Sequence, residues 1–162
     1  MYLMGIDPTE VSDAAKAALG TIAFNTTSAG IKGYMYVRDS GSGVTGDGYV
    51  VAISGSAFTA VMLTTVLAAP GTGTGKAVGV ARAAVTANYY FWVQVYGPGV
   101  VRNAASTVAY TQLNTIATAG QLDDDATAGA RVIVGIVLDV TTGGAAATTA
   151  AWIQWPRVDR TL

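Results

Sequence analysis

Cysteine and histidine are both missing from this 162-residue chain. Without cysteine there are no disulfides, no thiolate metal ligands and no thiol nucleophile. Without histidine the commonest general base, the Ser-His-Asp triad and the usual zinc ligand go as well. Charge is scarce too, at 12% of residues with a net charge of −1, about half the usual share. So neutral a chain carries no electrostatic footprint for nucleic acid or an anionic membrane. No uncharged apolar run approaches the roughly 20 residues that span a bilayer. Met1–Gly5, followed by Asp7-Pro8, is too short for a signal peptide. The expectation is a soluble protein made in a cytosol, not an enzyme, with no cofactor and no resident metal.

What fills the chain instead is small. Alanine (29), threonine (21) and glycine (20) make up 70 of the 162 residues. Most of the 51% hydrophobic content is therefore small side chains, and the surface must be covered by Thr, Ser, Gly and Ala. Solitary proteins use charge to stay apart. A neutral surface suits a protein whose faces end against copies of itself or against a partner.

Four motifs carry potential chemistry. Gly41-Ser42-Gly43-Val44-Thr45-Gly46 matches G-x-G-x-x-G but leads into a strand at Tyr49, whereas a phosphate site needs a helix N-terminus there. Gly71–Lys76 resembles the end of a P-loop, yet Pro70 and Ala77 replace the Gly and Ser/Thr of that pattern. Asp123-Asp124-Asp125 could help hold calcium, but EF-hand spacing is absent and a solvated turn is the plainer expectation. A paired-carboxylate hydrolase would need two acids flanking a cleft, and nothing places Asp47 and Asp139 together.

Asp7-Pro8-Thr9-Glu10 reads as a helix start, with Asp7 capping and Glu10 completing a capping box. Val11, Ala14, Ala15, Ala18 and Leu19 follow at helical spacing up to Gly20, but so Ala-rich a stripe makes a marginal helix. An arm ordering on a neighbour is the alternative. From Gly20 onward the pattern is β. Expected strands are Thr21–Phe24, Tyr34–Val37, Tyr49–Ile53, Phe58–Leu63, Ala77–Arg82, Tyr89–Tyr96, Val100–Asn103, Arg131–Val140 and Thr148–Trp155, the last ended by Pro156. Turns fall at Asn25–Gly30, Asp39–Gly48, Pro70–Gly75, Gly120–Gly129 and Thr141–Ala147, while Ala104–Thr118 stays ambiguous. The fold class is all-β, one sandwich or barrel of about nine to eleven short strands. Residues 1–20 form an N-terminal arm or short helix and 21–162 the β-rich domain.

Asn88–Gly99 holds five of the fourteen aromatic residues. Read with a period of two, Tyr89, Phe91, Val93 and Val95 make a wholly apolar face for the core. Tyr90, Trp92, Gln94 and Tyr96 make a second face of aromatics with polar tips, suited to a neighbour or to stacked sugar rings. Trp92-Val93-Gln94 recurs as Trp152-Ile153-Gln154. This is either convergence of two amphipathic strands or one shared Trp/Gln surface, so Trp152 and Gln154 join the candidate interface.

Leu19-Gly20-Thr21 opening the β region, Gly33-Tyr34-Met35-Tyr36-Val37-Arg38 running into a glycine-rich loop, Gly79-Val80-Ala81, and Tyr89–Gly97 (YYFWVQVYG) together resemble the small decoration, or cement, proteins of tailed-bacteriophage heads. The resemblance spans Leu19–Arg102. It implies a β-rich structural virion protein, made in the host cytoplasm, that binds the outer surface of the assembled capsid and stabilises it. The implied partners are the major capsid protein and further copies of the chain, as a trimer ahead of a dimer, with an N-terminal arm lying across a seam. Nucleic acid and membrane are not among them. The alternative is a virion-surface module that binds a carbohydrate or receptor through Tyr90 and Trp92.

Overall fold

The computed structural model describes residues 6–68 and 75–162, which form one compact all-β domain with eleven strands among the described residues. In chain order they are β1 (Val11–Ser12), β2 (Ile22–Thr27), β3 (Gly30–Asp39), β4 (Val50–Ile53), β5 (Thr59–Met62), β6 (Ala77–Ala81), β7 (Tyr90–Asn103), β8 (Leu113–Thr115), β9 (Leu122–Asp123), β10 (Arg131–Leu138) and β11 (Ala147–Thr161). The Pro70–Gly75 turn falls, apart from Gly75, outside the described residues.

The aromatic strand β7 organises the whole sheet. Its first half pairs with β3 along one edge and with β1 and β6 along the other. Its second half pairs with β11, and Asn103 meets β9. Two circuits of pairing therefore close on β7. One runs β7–β3–β5–β4–β6 and the other β7–β9–β8–β10–β11. Closing a sheet on itself removes most free edges.

Each circuit encloses its own core. Val37, Val51, Ile53, Phe91, Val93 and Val95 fill the first, with Tyr89 packed against them, so the apolar face expected of the aromatic strand is the face that is buried. Val101, Leu122, Ile133, Ile136, Leu138 and Ile153 fill the second. Strand β4 lies between the two, with Val51 and Ile53 in one core and Val50 and Ala52 in the other. All four residues are buried, which is why this segment reads as an unbroken apolar run.

The expected N-terminal helix is absent. Asp7 does accept from the Thr9 N–H and hydroxyl, at 2.9 and 2.6 Å, but the capping chemistry closes one turn only. Val11 and Ser12 then pair with Phe91 and Tyr90. An Ala stripe buries too little to hold a helix against sheet pairing. The residues on either side of this pairing lie across the outer face of β3 and β7, where Ile6, Ala17 and Leu19 pack on Tyr34, Tyr36 and Trp92. The Lys16 N–H donates to the Tyr36 hydroxyl at 3.0 Å. The described part of the arm is thus seated on its own chain.

Three other expectations fail for one shared reason, backbone irregularity inside long strands. β7 does not stop at Gly97-Pro98-Gly99; it runs through them to Asn103, turning at a bulge where the register with β3 shifts. Gly97 holds φ +91°, and a Cβ there would overlap the Ile31 carbonyl oxygen. Alternation puts Val132, Val134, Ile136, Leu138 and Val140 on one face of Arg131–Val140, but β10 does not keep that face and ends at Leu138. Its register with β11 shifts around Gly135, so Ile133 enters the core before the bulge while Ile136 and Leu138 enter after it. β11 does not end at Pro156 but continues to Thr161, with Trp155 in the left-handed region at φ 46° opposite that bulge. The hairpin after β2 is also tighter than the Asn25–Gly30 turn expected, since Asn25 to Thr27 pair with Lys32 to Gly30. Leu122 and Asp123 form β9 inside what reads as a loop.

Candidate interface

The six candidate residues divide between interior and surface. Trp92 is 4% exposed, inside the cluster covered by the N-terminal segment, with its ring 4.8 Å from that of Tyr36. Tyr90 is half-buried, stacked on Tyr36 at 6.2 Å, with the Arg38 guanidinium carbon 5.7 Å from its ring centroid. Gln94 is fully buried. Its Nε2 lies within 3.0–3.3 Å of the carbonyls of Tyr96, Gly97 and Pro98, which lets the side chain tie the β7 bend together. Trp92 and Gln94 are therefore corrections: Trp92 lies beneath residues 6–19, which fold back over this part of the face, and Gln94 is enclosed at the β7 bend.

Tyr96, Trp152 and Gln154 do meet at the surface. Gln154 sits opposite Tyr96, and Trp152 opposite Pro98, in the β7–β11 ladder. The Tyr96 and Trp152 rings are 5.8 Å apart in an edge-on arrangement. The repeated Trp-x-Gln segments lie on neighbouring strands without forming one surface, since Trp92 has no β11 partner and faces the N-terminal cover.

Sequence reasoning missed Trp155. Alternation places it on the same side as Ile153, inside. The left-handed backbone at this position sends it out instead, 46% exposed and 6.5 Å from Tyr96. The signal present in the sequence is Pro156, because proline within a strand marks an edge or a bulge. Val137, opposite Trp152 on β10, is also exposed, and so is Ile31 beyond β7. Trp152 itself is 40% exposed. These residues make an aromatic and aliphatic band across β10, β11 and β7.

Beside Trp155 lies a depression of about 200 Å³, lined by Met35, Val78, Val95, Trp155, Pro156 and Arg157, among others. It marks the point where β6 leaves β7 after Gln94 and β11 takes over from Tyr96. Val95 between them has no ladder partner on either side.

The remaining motifs resolve within the chain. The amides of Gly41 and Gly43 donate to Asp39 Oδ2 at 2.7 and 3.0 Å, and the Asn88 amide joins them at 3.0 Å. The glycine-rich loop thus cradles an anion, but the anion is the chain's own buried carboxylate. The three carboxylates of Asp123 to Asp125 lie within 4.8 Å of one another. Asp123 accepts from the Thr107 hydroxyl and the Asp124 amide, and Asp124 from the Val108 amide. Burial pushes the Asp123 carboxyl above its ordinary range. This loop staples Ala104–Thr111 to the sheet.

The chain matches no model of a known protein family and no curated protein.

Proposed function

We propose that this protein is a structural binding protein that attaches to the outer surface of an assembled phage capsid and stabilises it, using the Tyr96–Trp152–Trp155 band. The observation that carries the reading is the band itself. Two half-exposed tryptophans and a tyrosine sit together on a stiff, closed sheet, and Trp and Tyr are the residues on which interface energy concentrates. A contiguous exposed aromatic surface on an otherwise small-residue protein marks a contact site. The resemblance of segments across Leu19–Arg102 to phage decoration proteins suggests the partner, and the scarcity of charge agrees with a surface that ends up covered. Many copies, each burying a modest area across adjoining capsid subunits, would resist shell rupture by mass action. Self-association as a trimer, ahead of a dimer, belongs to the same proposal and is read by sedimentation equilibrium.

The double variant Trp152→Ser with Trp155→Ser tests it. Both side chains are at the surface, so folding should hold. Removing two hot-spot aromatics should weaken co-sedimentation with capsids by about 100-fold or more. Unchanged capsid binding by the folded variant contradicts the assignment.

A second reading, a virion-surface carbohydrate binder, is favoured by one feature: two exposed indoles beside a depression can stack on sugar rings. Binding of the isolated protein on a glycan array, lost in the same double variant, would select it.

A further inference from the structure

The depression beside Trp155 has a size, a wall chemistry and a charge that together describe an occupant. Its volume of about 200 Å³ is below the roughly 300–1,000 Å³ of pockets for drug-sized ligands. The size suits a single side chain better than a drug-sized ligand. Met35, Val78, Val95 and Pro156 make the walls apolar, and methionine adapts its shape to what it contacts. The space exists because of topology: β6 and β11 meet each other at Ala77 and Arg157, and Val95 of β7, without a ladder partner, borders the gap they leave.

Two further observations point outward from this gap. Trp155 holds a left-handed backbone conformation, which is strained for a non-glycine residue and of a kind that concentrates at binding sites. Its indole lines the depression and remains exposed. Arg157, at the same rim, differs from the other exposed arginines. Arg38 bonds the Asn88 carbonyl and covers Tyr90, and Arg160 engages Asp159 and Gln112. Among the described residues Arg157 has no carboxylate within ion-pair distance and no side-chain hydrogen bond.

We propose that this depression receives a single apolar side chain of leucine size from the partner protein, with a carboxylate beside it that pairs with Arg157. The proposal deepens the docking reading above and rests on it. An apolar anchor in a small pocket, rimmed by aromatics and fixed in register by one ion pair, is a common arrangement of an interface centre. The charge sets which segment docks more than how tightly it is held.

The probes are acetyl-Leu-Asp-amide and acetyl-Leu-Asn-amide, titrated into the full chain while the indole N–H resonance of Trp155 is followed by NMR, assigned through Trp155→Phe. Both peptides should shift that resonance, and the aspartyl peptide should bind about two- to fivefold more tightly, as expected of an exposed ion pair. Arg157→Gln, at an exposed position, should leave the asparaginyl peptide unaffected and abolish the preference. A Trp155 resonance that stays fixed to the solubility limit of both peptides overturns the proposal, as does equal affinity for the two in the unsubstituted protein. Capsid attachment without dipeptide binding removes this pocket and leaves the aromatic band; dipeptide preference without capsid attachment supports the pocket and removes the capsid reading.

Discussion

Gly97→Ala should destabilise the fold by more than about 4 kcal/mol, a large fraction of the roughly 5–15 kcal/mol that holds a domain together. Two effects act at the same atom. The backbone there is left-handed, at φ +91°, which a Cβ disfavours. The Cβ itself would occupy the space of the Ile31 carbonyl oxygen and press on Lys32 Cα, both backbone and neither able to rotate away. Relief would require β3 to separate from β7, yet both circuits of the sheet close on β7. The buried Gln94 amide, bonded to the carbonyls on either side of Gly97, would lose its geometry too. Urea unfolding reads this as a large fall in midpoint or as failure to fold. A Gly97→Ala protein unfolding within about 1 kcal/mol of the parent would show that the bend does not hold the sheet.

Trp92→Ala should cost about 3–5 kcal/mol, the range for deleting a large buried aromatic. Trp92 is 4% exposed and packs against Tyr36 at 4.8 Å, under a cover supplied by Ile6, Ala17 and Leu19. A chain that used Trp92 to grip a partner would instead lose binding with little change in stability. Denaturant titration separates the two. A fall in unfolding midpoint supports the interior assignment, and an unchanged midpoint contradicts it. The contrast with Trp152 and Trp155, where stability should hold and attachment should fall, uses all three tryptophans of the chain.

The all-β class and the core-facing side of β7 were legible because alternation is a local property: Phe91, Val93 and Val95 fall on one face whatever surrounds them. The other face was not legible. Whether Tyr90 and Trp92 meet solvent depends on where a segment about eighty residues earlier in the chain comes to rest, and the Ala-rich pattern of residues 14–19 suggested a helix rather than a cover. The surface site was half legible. Tyr96, Trp152 and Gln154 keep the phase that alternation assigns them, whereas Trp155 escapes it because one left-handed residue reverses the direction of its side chain. Gly135 is the other half of that irregularity, since a Cβ there would come within 2.5 Å of the Gln154 carbonyl oxygen. Bulges change register by one residue and leave composition untouched, so β7, β10 and β11 each run past or shift at a point where their sequences suggest an end or an unbroken face.

Hydroxyl-radical labelling of tryptophan, on the free protein and on the protein bound to purified capsids, tests the docking surface most directly. Free in solution, Trp152 and Trp155 should be oxidised and Trp92 spared. On capsids all three should be protected, with Trp92 as the internal control for an intact fold. Continued oxidation of Trp152 and Trp155 on the capsid-bound protein, with Trp92 still spared, would contradict the assignment of the Tyr96–Trp152–Trp155 band as the surface that meets the shell.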